Sequence, residues 1–338
     1  MHTEMGVPFA SLFEGDTFYM ILVTGATGFI GRHLVKKLLE DGIPIYALTR
    51  KDDLLLPKDK KLTIIKGYIN RLTEFPQDVT CIYNCAGVIS REEQMVETNV
   101  NGTKNIADIA LKKGCRLIHL SSAGVVGKCK SDYIDEKTEC NPQSLYERSK
   151  WEAEKILIDY VAKGLKVQVL RPTIVFGTDK DYTKDSFLQL VSAIKSGRYV
   201  NIAGGKGIYN IVHVDEVVRA LCYLNNDKIL NGQIFFVNSP ITFNDFSKIV
   251  KKETADSSDK IHSVPYVFAF LVALVFVTIE KATGRRAIMN FDRLKALTNM
   301  KIFSQRLIVD TTDYRPMRSV EDYIRRTCQE YWKLGLLN

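Results

Sequence analysis

MILVTGATGFIG, Met20 to Gly31, decides the fold. It opens with a short apolar run, Met20 to Thr24, which stops in a loop carrying Gly25, Gly28 and Gly31. From Phe29 to Asp41 apolar side chains recur at Ile30, Leu34, Leu38 and Leu39, a spacing that predicts an amphipathic helix. Strand, glycine loop and helix in that order start a βαβ unit. Gly25 and Gly28 allow a tight turn and a close backbone approach to a pyrophosphate. Gly31 lets the helix pack near the sheet, and the anion then meets free N–H groups at the helix N-terminus. The spacing, Gly-x-x-Gly-x-x-Gly, differs by one residue from the Gly-x-Gly-x-x-Gly dinucleotide fingerprint.

The alternation continues outward from this segment. Ile43–Leu48, Leu62–Lys66, Cys81–Asn84, Arg116–Ser121 and Val167–Leu170 read as strands, separated by helical stretches near Val96–Lys113 and Tyr146–Ala162. Such a pattern predicts a Rossmann-type, doubly wound parallel α/β sheet covered on both faces. After Gly177 the pattern loosens: 180–184 is a charged loop, Phe187–Lys195 helical, Ile202–Gly207 a glycine turn, and Ile211–Val214 and Ile234–Asn238 strands around a helix at Asp215–Leu224. The remainder is mostly helical. The expected organisation is an N-terminal extension (1–19) and a dinucleotide-binding unit (20–177) with later strand contributions around 208–238. A smaller, mostly helical substrate-binding region (178–338) interleaves with it.

Composition is that of an ordinary globular protein, with 46% hydrophobic and 25% charged residues. The formal charge of +8 favours an anionic partner such as phosphate, a nucleotide or an acidic membrane, or is a solvated surface. There is no Lys/Arg-dense recognition helix, so nucleic acid is not expected. The seven cysteines are scattered, form no Cys-x-x-Cys pair and show no zinc-ligand spacing, so no metal is expected. That usage fits a reducing cytosol, and residues 1–19 lack the pattern of a signal peptide. A cytoplasmic location follows as the expectation. One segment complicates it. Val264 to Ile279 is an apolar run, VPYVFAFLVALVFVTI, followed by Glu280, Lys281, Arg285 and Arg286. It is shorter than the ~20 residues of a spanning helix. A buried helix or dimer face is one reading, and peripheral membrane contact is the other.

Tyr146-Glu-Arg-Ser-Lys150 opens a helix, and four-residue spacing places the tyrosine and lysine on one face. A lysine ammonium near a phenol favours the phenolate. Such a tyrosine can take a proton from an alcohol or give one to a ketone. Upstream, a strand runs into Ser121 and Ser122, at the sheet end where ligands bind. A serine hydroxyl there can hold a substrate oxygen beside Tyr146. His119, inside that strand, reads as a core histidine. No Gly-x-Ser-x-Gly elbow supports a serine hydrolase. The second strand ends Ala47-Leu-Thr-Arg50, with Asp52 and Asp53 slightly later. A base at that place favours a 2′-phosphate, so the expected cofactor is NADP or NAD, with NADP favoured.

Taken together these landmarks resemble the extended short-chain dehydrogenase/reductase family, of the NAD-dependent epimerase/dehydratase type, over about residues 20–335. TGATGFIG (Thr24–Gly31) is similar to its cofactor loop. Asn84-Cys-Ala-Gly87 resembles the fourth-strand segment that lines the cofactor, and Asn99 the first Asn of the following helix. SSAGVVG (Ser121–Gly127) resembles Ser-Ser-x-x-Val-Tyr-Gly, with Ser122 in the catalytic place. YERSK carries the catalytic pair, Tyr146 and Lys150. Arg171-Pro-Thr-Ile-Val-Phe-Gly177 resembles the segment that contacts the nicotinamide, and Val212-His-Val-Asp-Glu-Val217 a later landmark. The resemblance implies catalysis by Ser122, Tyr146 and Lys150. It implies cofactor contacts from Gly25, Thr27, Gly28, Phe29, Ile30 and Gly31, from Arg50, Tyr68 and Ile69, from Cys85, Ala86 and Gly87, and from Asn99, Ser121, Tyr146, Lys150, Pro172 and Thr173. A homodimer is implied as well.

Three departures stand out, one from the family's adenine contact and two from nucleotide-sugar members. Gly67-Tyr68-Ile69 replaces the Gly-Asp-Leu whose acid holds adenine. Ile174 stands where an Asn often binds the sugar nucleotide, and Tyr209 where an Arg often grips the diphosphate. The implied activity is hydride transfer at a secondary alcohol or ketone, foremost of a nucleotide sugar. An NADPH-dependent reductase or dehydrogenase of a steroid-, flavonol- or lipid-linked substrate is the alternative. A non-catalytic NAD(P)-sensing protein is a third reading, against which the chain retains both Tyr146 and Lys150.

Overall fold

Seven strands form one fully parallel sheet: β1 (Met20–Thr24), β2 (Ile45–Thr49), β3 (Leu62–Lys66), β4 (Val79–Asn84), β5 (Arg116–Leu120), β6 (Val167–Pro172) and β7 (Ile234–Val237), in the order β7-β6-β5-β4-β1-β2-β3. The computed structural model describes residues 20–50, 56–178, 185–254, 261–283 and 290–337. The expected extension 1–19, Asp52, Asp53, the 180–184 loop, Arg285 and Arg286 lie outside the described residues.

Parallel strands buried on both faces read as continuous apolar runs. Thus β5 and β6 are buried at every position. One face of the sheet is covered by α1 (Phe29–Glu40), through Leu34, Val35 and Leu38, and by Val217 and Leu221 downstream. The other is covered by α2 (Gly102–Lys113), through Ile106, Ala107 and Ala110, and by α3 (Leu145–Ala162), through Leu157 and Tyr160. Strand order reverses between β1 and β4, which opens a crevice at their carboxyl ends.

A third core lies beyond β6. Ile174–Phe176 pairs parallel with Ile208–His213, which pairs antiparallel with Ser239–Thr242. Against this sheet pack α4 (Ser186–Lys195) and, after α5 (Val214–Tyr223), α6 (Phe243–Thr254), through Phe187, Val191, Phe246 and Val250. Segments on both sides of β7 therefore build one core. The apolar run forms α7 (Tyr266–Thr283), packed against α8 (Phe291–Thr298). The buried-helix reading fails here: Ala269 and Ala273 are buried, but Val267, Phe268, Leu271 and Val275 are each more than half exposed. Among the described residues, no helix is long and apolar enough to cross a membrane.

Glu216 ties the last segment down. This carboxylate is 1% exposed and accepts hydrogen bonds from Tyr314 Oη (2.9 Å), Tyr323 Oη (2.8 Å) and the Met317 N–H (2.8 Å). Three donors offset the cost of burying a charge.

Candidate active site

The crevice begins at the glycine loop. Gly25 has φ +64°, and a Cβ there would stand 2.6 Å from the backbone of Cys85 and Ala86. A Cβ on Gly31 would meet the Gly25 carbonyl oxygen at 2.1 Å. Loop, helix and β4 therefore touch backbone to backbone, which only glycine permits. Helix α1 starts after Gly28 with no side-chain cap and no acid in its first turn, so its N-terminal donors face the crevice. A Gly31→Ala chain is expected to lose about 1–3 kcal/mol of stability and its dinucleotide binding, read by thermal unfolding with and without NAD. An unshifted melting profile would contradict this packing.

Two cavities, of about 190 and 310 Å³, share walls at Gly28, Cys85 and Gly87. Each is small for a dinucleotide. Joined end to end they reach the usual size of a cofactor cleft. The first is lined by Gly25, Thr27, Arg50, Tyr68, Ile69 and Ala86. The second is lined by Phe29, Ile30 and Gly31 on one wall and by Ser121, Ser122, Tyr146, Lys150, Pro172 and Thr173 on the other. Of the residues expected to catalyse or to contact the cofactor, Asn99 alone lines neither of these two cavities. It is fully buried in a π-turn, Val96–Asn101, where its amide bonds both the N–H (2.8 Å) and the C=O (3.0 Å) of Val88 and the Ser149 hydroxyl (2.9 Å). Asn99 thus fastens the wall to the catalytic helix from behind. π-turns of this kind collect at functional sites.

Helix α3 begins with a capping box. Ser144 Oγ accepts from the Glu147 N–H (3.1 Å), and the Glu147 carboxylate accepts from the Ser144 N–H (2.9 Å). This fixes the first turn, and with it Tyr146. The Tyr146 hydroxyl lies beside Ser122. Ser122 Oγ itself accepts from the Gly124 N–H at 3.1 Å, and Ser122 lines the second cavity. Lys150 is 4% exposed and donates to the Leu120 carbonyl at 2.6 Å. Burial lowers it to about 8, against the opposing pull of Glu154 and Cys85. The phenol differs from expectation. Burial raises the Tyr146 pKa, and the neighbouring Ser122 only partly offsets it. The Lys150 ammonium itself is turned to the Leu120 carbonyl.

Behind the wall lies a buried polar network that sequence patterns did not assemble. Asn84 accepts from Thr24 Oγ1 (2.7 Å), and its Nδ2 donates to Thr103 Oγ1 (3.2 Å) and lies 3.1 Å from His119 Nδ1. His119 is fully buried, as a core histidine should be. Burial first, then Lys150, pushes it well below the usual range, so it is neutral. With Nδ1 accepting, its proton sits on Nε2. One further pair was missed. Arg171 Nη2 and Nε hold Glu154 at 2.5 and 3.0 Å, with side chains 2% and 0% exposed. Glu154 follows Lys150 at the same four-residue interval that joins Lys150 to Tyr146, a repeat that could have revealed it.

The cradle fits a dinucleotide: its loop, helix and β4 meet backbone to backbone at Gly25 and Gly31, leaving no side chain at the loop, and Ser121 Oγ is buried in its wall with no partner among the described residues. The burial-raised Cys85 thiol, at about 12, is inert in this wall.

Comparison with known proteins agrees. Residues 21–237 match the model of the NAD dependent epimerase/dehydratase family. An Escherichia coli O157:H7 protein, N-acetyl-alpha-D-glucosaminyl-diphospho-ditrans,octacis-undecaprenol 4-epimerase, is 23% identical over 81% of this chain and 84% of its own length. Mouse sterol-4-alpha-carboxylate 3-dehydrogenase, decarboxylating, is 24% identical over 92% of this chain and 91% of its own. The solved UDP-glucose 4-epimerase of Thermotoga maritima, with UDP-glucose, superposes with a TM-score of 0.71 at 20% identity, covering 94% of this chain and 99% of that one.

Proposed function

Because this chain belongs to the NAD-dependent epimerase/dehydratase family, we propose that it oxidises or reduces a secondary alcohol or ketone of a nucleotide sugar, with Tyr146, Lys150 and Ser122 as its working groups. One observation carries the assignment: these three side chains line the far wall of a cleft whose near wall is the glycine loop and α1. A nicotinamide dinucleotide bound in that cleft supplies or accepts the hydride. Tyr146, held protonated by burial, donates a proton to a carbonyl oxygen and recovers it in the reverse direction. Ser122 directs its O–H at the same oxygen. Lys150 brings a positive charge to the cavity wall below pH 8. The test is to denature the purified protein, identify any released dinucleotide, and screen sugar nucleotides by thermal shift. Tight NAD with no exchange supports an epimerase or dehydratase cycle. Stabilisation by none of the sugar nucleotides would remove that substrate class.

Specific observations favour a second reading, an apolar or lipid-linked substrate. Ile174 is 51% exposed just past Thr173, where a sugar would want a polar partner. Tyr209 stacks on Phe243 (4.9 Å), meets Phe246 edge to face (5.3 Å) and offers no cation to a diphosphate. The names of the undecaprenol-linked and sterol-linked relatives are consistent with that substrate class.

NADP is our proposed preference. Arg50 is exposed at the rim of the first cavity, at the end of β2. An Arg50→Ala chain is expected to lose about tenfold in NADPH affinity, the loss of one charge-assisted contact worth about 1.5 kcal/mol, and little in NADH affinity. Fluorescence titration of both cofactors checks it, and equal losses for the two would refute the 2′-phosphate contact.

A further inference from the structure

Helix α7 leaves most of its apolar surface in the open. Val267, Phe268, Leu271 and Val275 are 69%, 58%, 54% and 57% exposed, and Leu274 and Ile279 nearly as much. Singly exposed apolar residues are normal, but a contiguous group on one element marks an interaction surface. At about 100° per residue, the exposed side chains from Val267 to Ile279 sweep roughly half the helix circumference. The opposite side rests on the protein through Ala269, which packs with Ile202 and Leu294, and through the Phe270–Phe291 ring contact at 5.3 Å. A partner helix covers a narrower stripe than this. The arc suits a continuous apolar medium better than a second copy of the chain.

Charge points the same way. Lys295, on the helix packed against α7, and Lys206, beside the turn bonded to Ser263 (Gly204 N–H to Ser263 Oγ, 3.0 Å), are exposed, while Glu280 and Asp292 are the nearby acids. In sequence Lys281, Arg285 and Arg286 follow the run, and the whole chain carries +8. An apolar arc beside exposed lysines, in a chain that carries +8 overall, is the chemistry of a helix lying in the plane of an anionic leaflet.

We propose that α7 seats in the headgroup–acyl boundary of an anionic bilayer and holds the enzyme on that surface. This binding is independent of which substrate the cleft takes, so the two ideas fail separately. The experiment is flotation of the full chain with vesicles of equal phosphatidylglycerol and phosphatidylcholine. The wild-type chain is expected to float. A Phe268→Glu, Leu271→Glu, Val275→Glu chain is expected to lose at least tenfold in vesicle affinity with an unchanged circular dichroism spectrum, since all three positions are exposed. A wild-type chain that stays at the bottom overturns the proposal, as does a triple variant that floats equally well. Self-association that the triple variant abolishes, without vesicle binding by the wild type, also overturns it and assigns the face to a second copy.

Discussion

Tyr146→Phe is expected to lower turnover by about 10²–10⁴-fold, the usual worth of a positioned general acid–base, while dinucleotide affinity is unchanged. Phenylalanine keeps the ring in place and removes only the hydroxyl. Lys150 is held by the Leu120 carbonyl and Glu147 by the helix cap, so neither is poised to replace it. The pH dependence follows from the same geometry. Burial raises the phenol, so Tyr146 enters the reducing direction protonated. Lys150 sits at about 8, so its charge is full below that pH and disappears as pH rises through it. Activity that depends on this charge falls on the alkaline side near 8, and a Lys150→Met chain should lack that limb. Steady-state rates from pH 6 to 10, on the substrate that the binding screen selects, decide it. Near wild-type turnover in Tyr146→Phe would sink the assignment.

The local half of this architecture was legible from sequence and the non-local half was not. Residues 20–24 and 62–66 are strands with the bounds their apolar runs suggest. The second strand starts at Ile45 rather than Ile43, because the Ile43 N–H closes the exit of α1 on the Leu38 carbonyl at 2.9 Å. The helix read from Val96 begins at Glu92, since the π-turn inserts a residue and breaks the 3.6 period that the eye follows. Pairing of Tyr133–Ile134 with Ile302–Phe303 joins segments too far apart for any local pattern. The run at 264–279 shows the same limit differently. Hydrophobicity alone says that a surface must be covered, but not whether the protein covers it. At the site, sequence order named the side chains that line the cleft. It could not show that Asn99 works from behind the wall, or that Arg171, noted only as part of a motif, neutralises Glu154.

That pair gives the largest expected effect on stability. Arg171→Ala leaves Glu154, fully buried, without its cation, and breaking a buried pair on one side costs about 3–5 kcal/mol. The guanidinium also lies over the Phe236 ring at 5.4 Å and the Trp151 ring at 5.9 Å and donates to Cys140 Sγ at 3.3 Å, so packing is lost with the charge. Replacing both partners by apolar residues, Arg171→Met with Glu154→Leu, removes the stranded charge and should restore most of the loss. Urea unfolding of the single and double variants separates the two costs. A loss under about 1 kcal/mol in the single variant, the range of a surface pair, would mean that water reaches Glu154. The pair also bears on chemistry. Glu154 pulls on Lys150 from four residues down the same helix face. With Arg171 gone, its carboxylate has only the lysine to hold, and the ammonium is retained to higher pH. The alkaline limb of the rate profile should therefore move upward in Arg171→Ala and downward in Glu154→Gln, opposite shifts that a purely structural role for the pair does not produce.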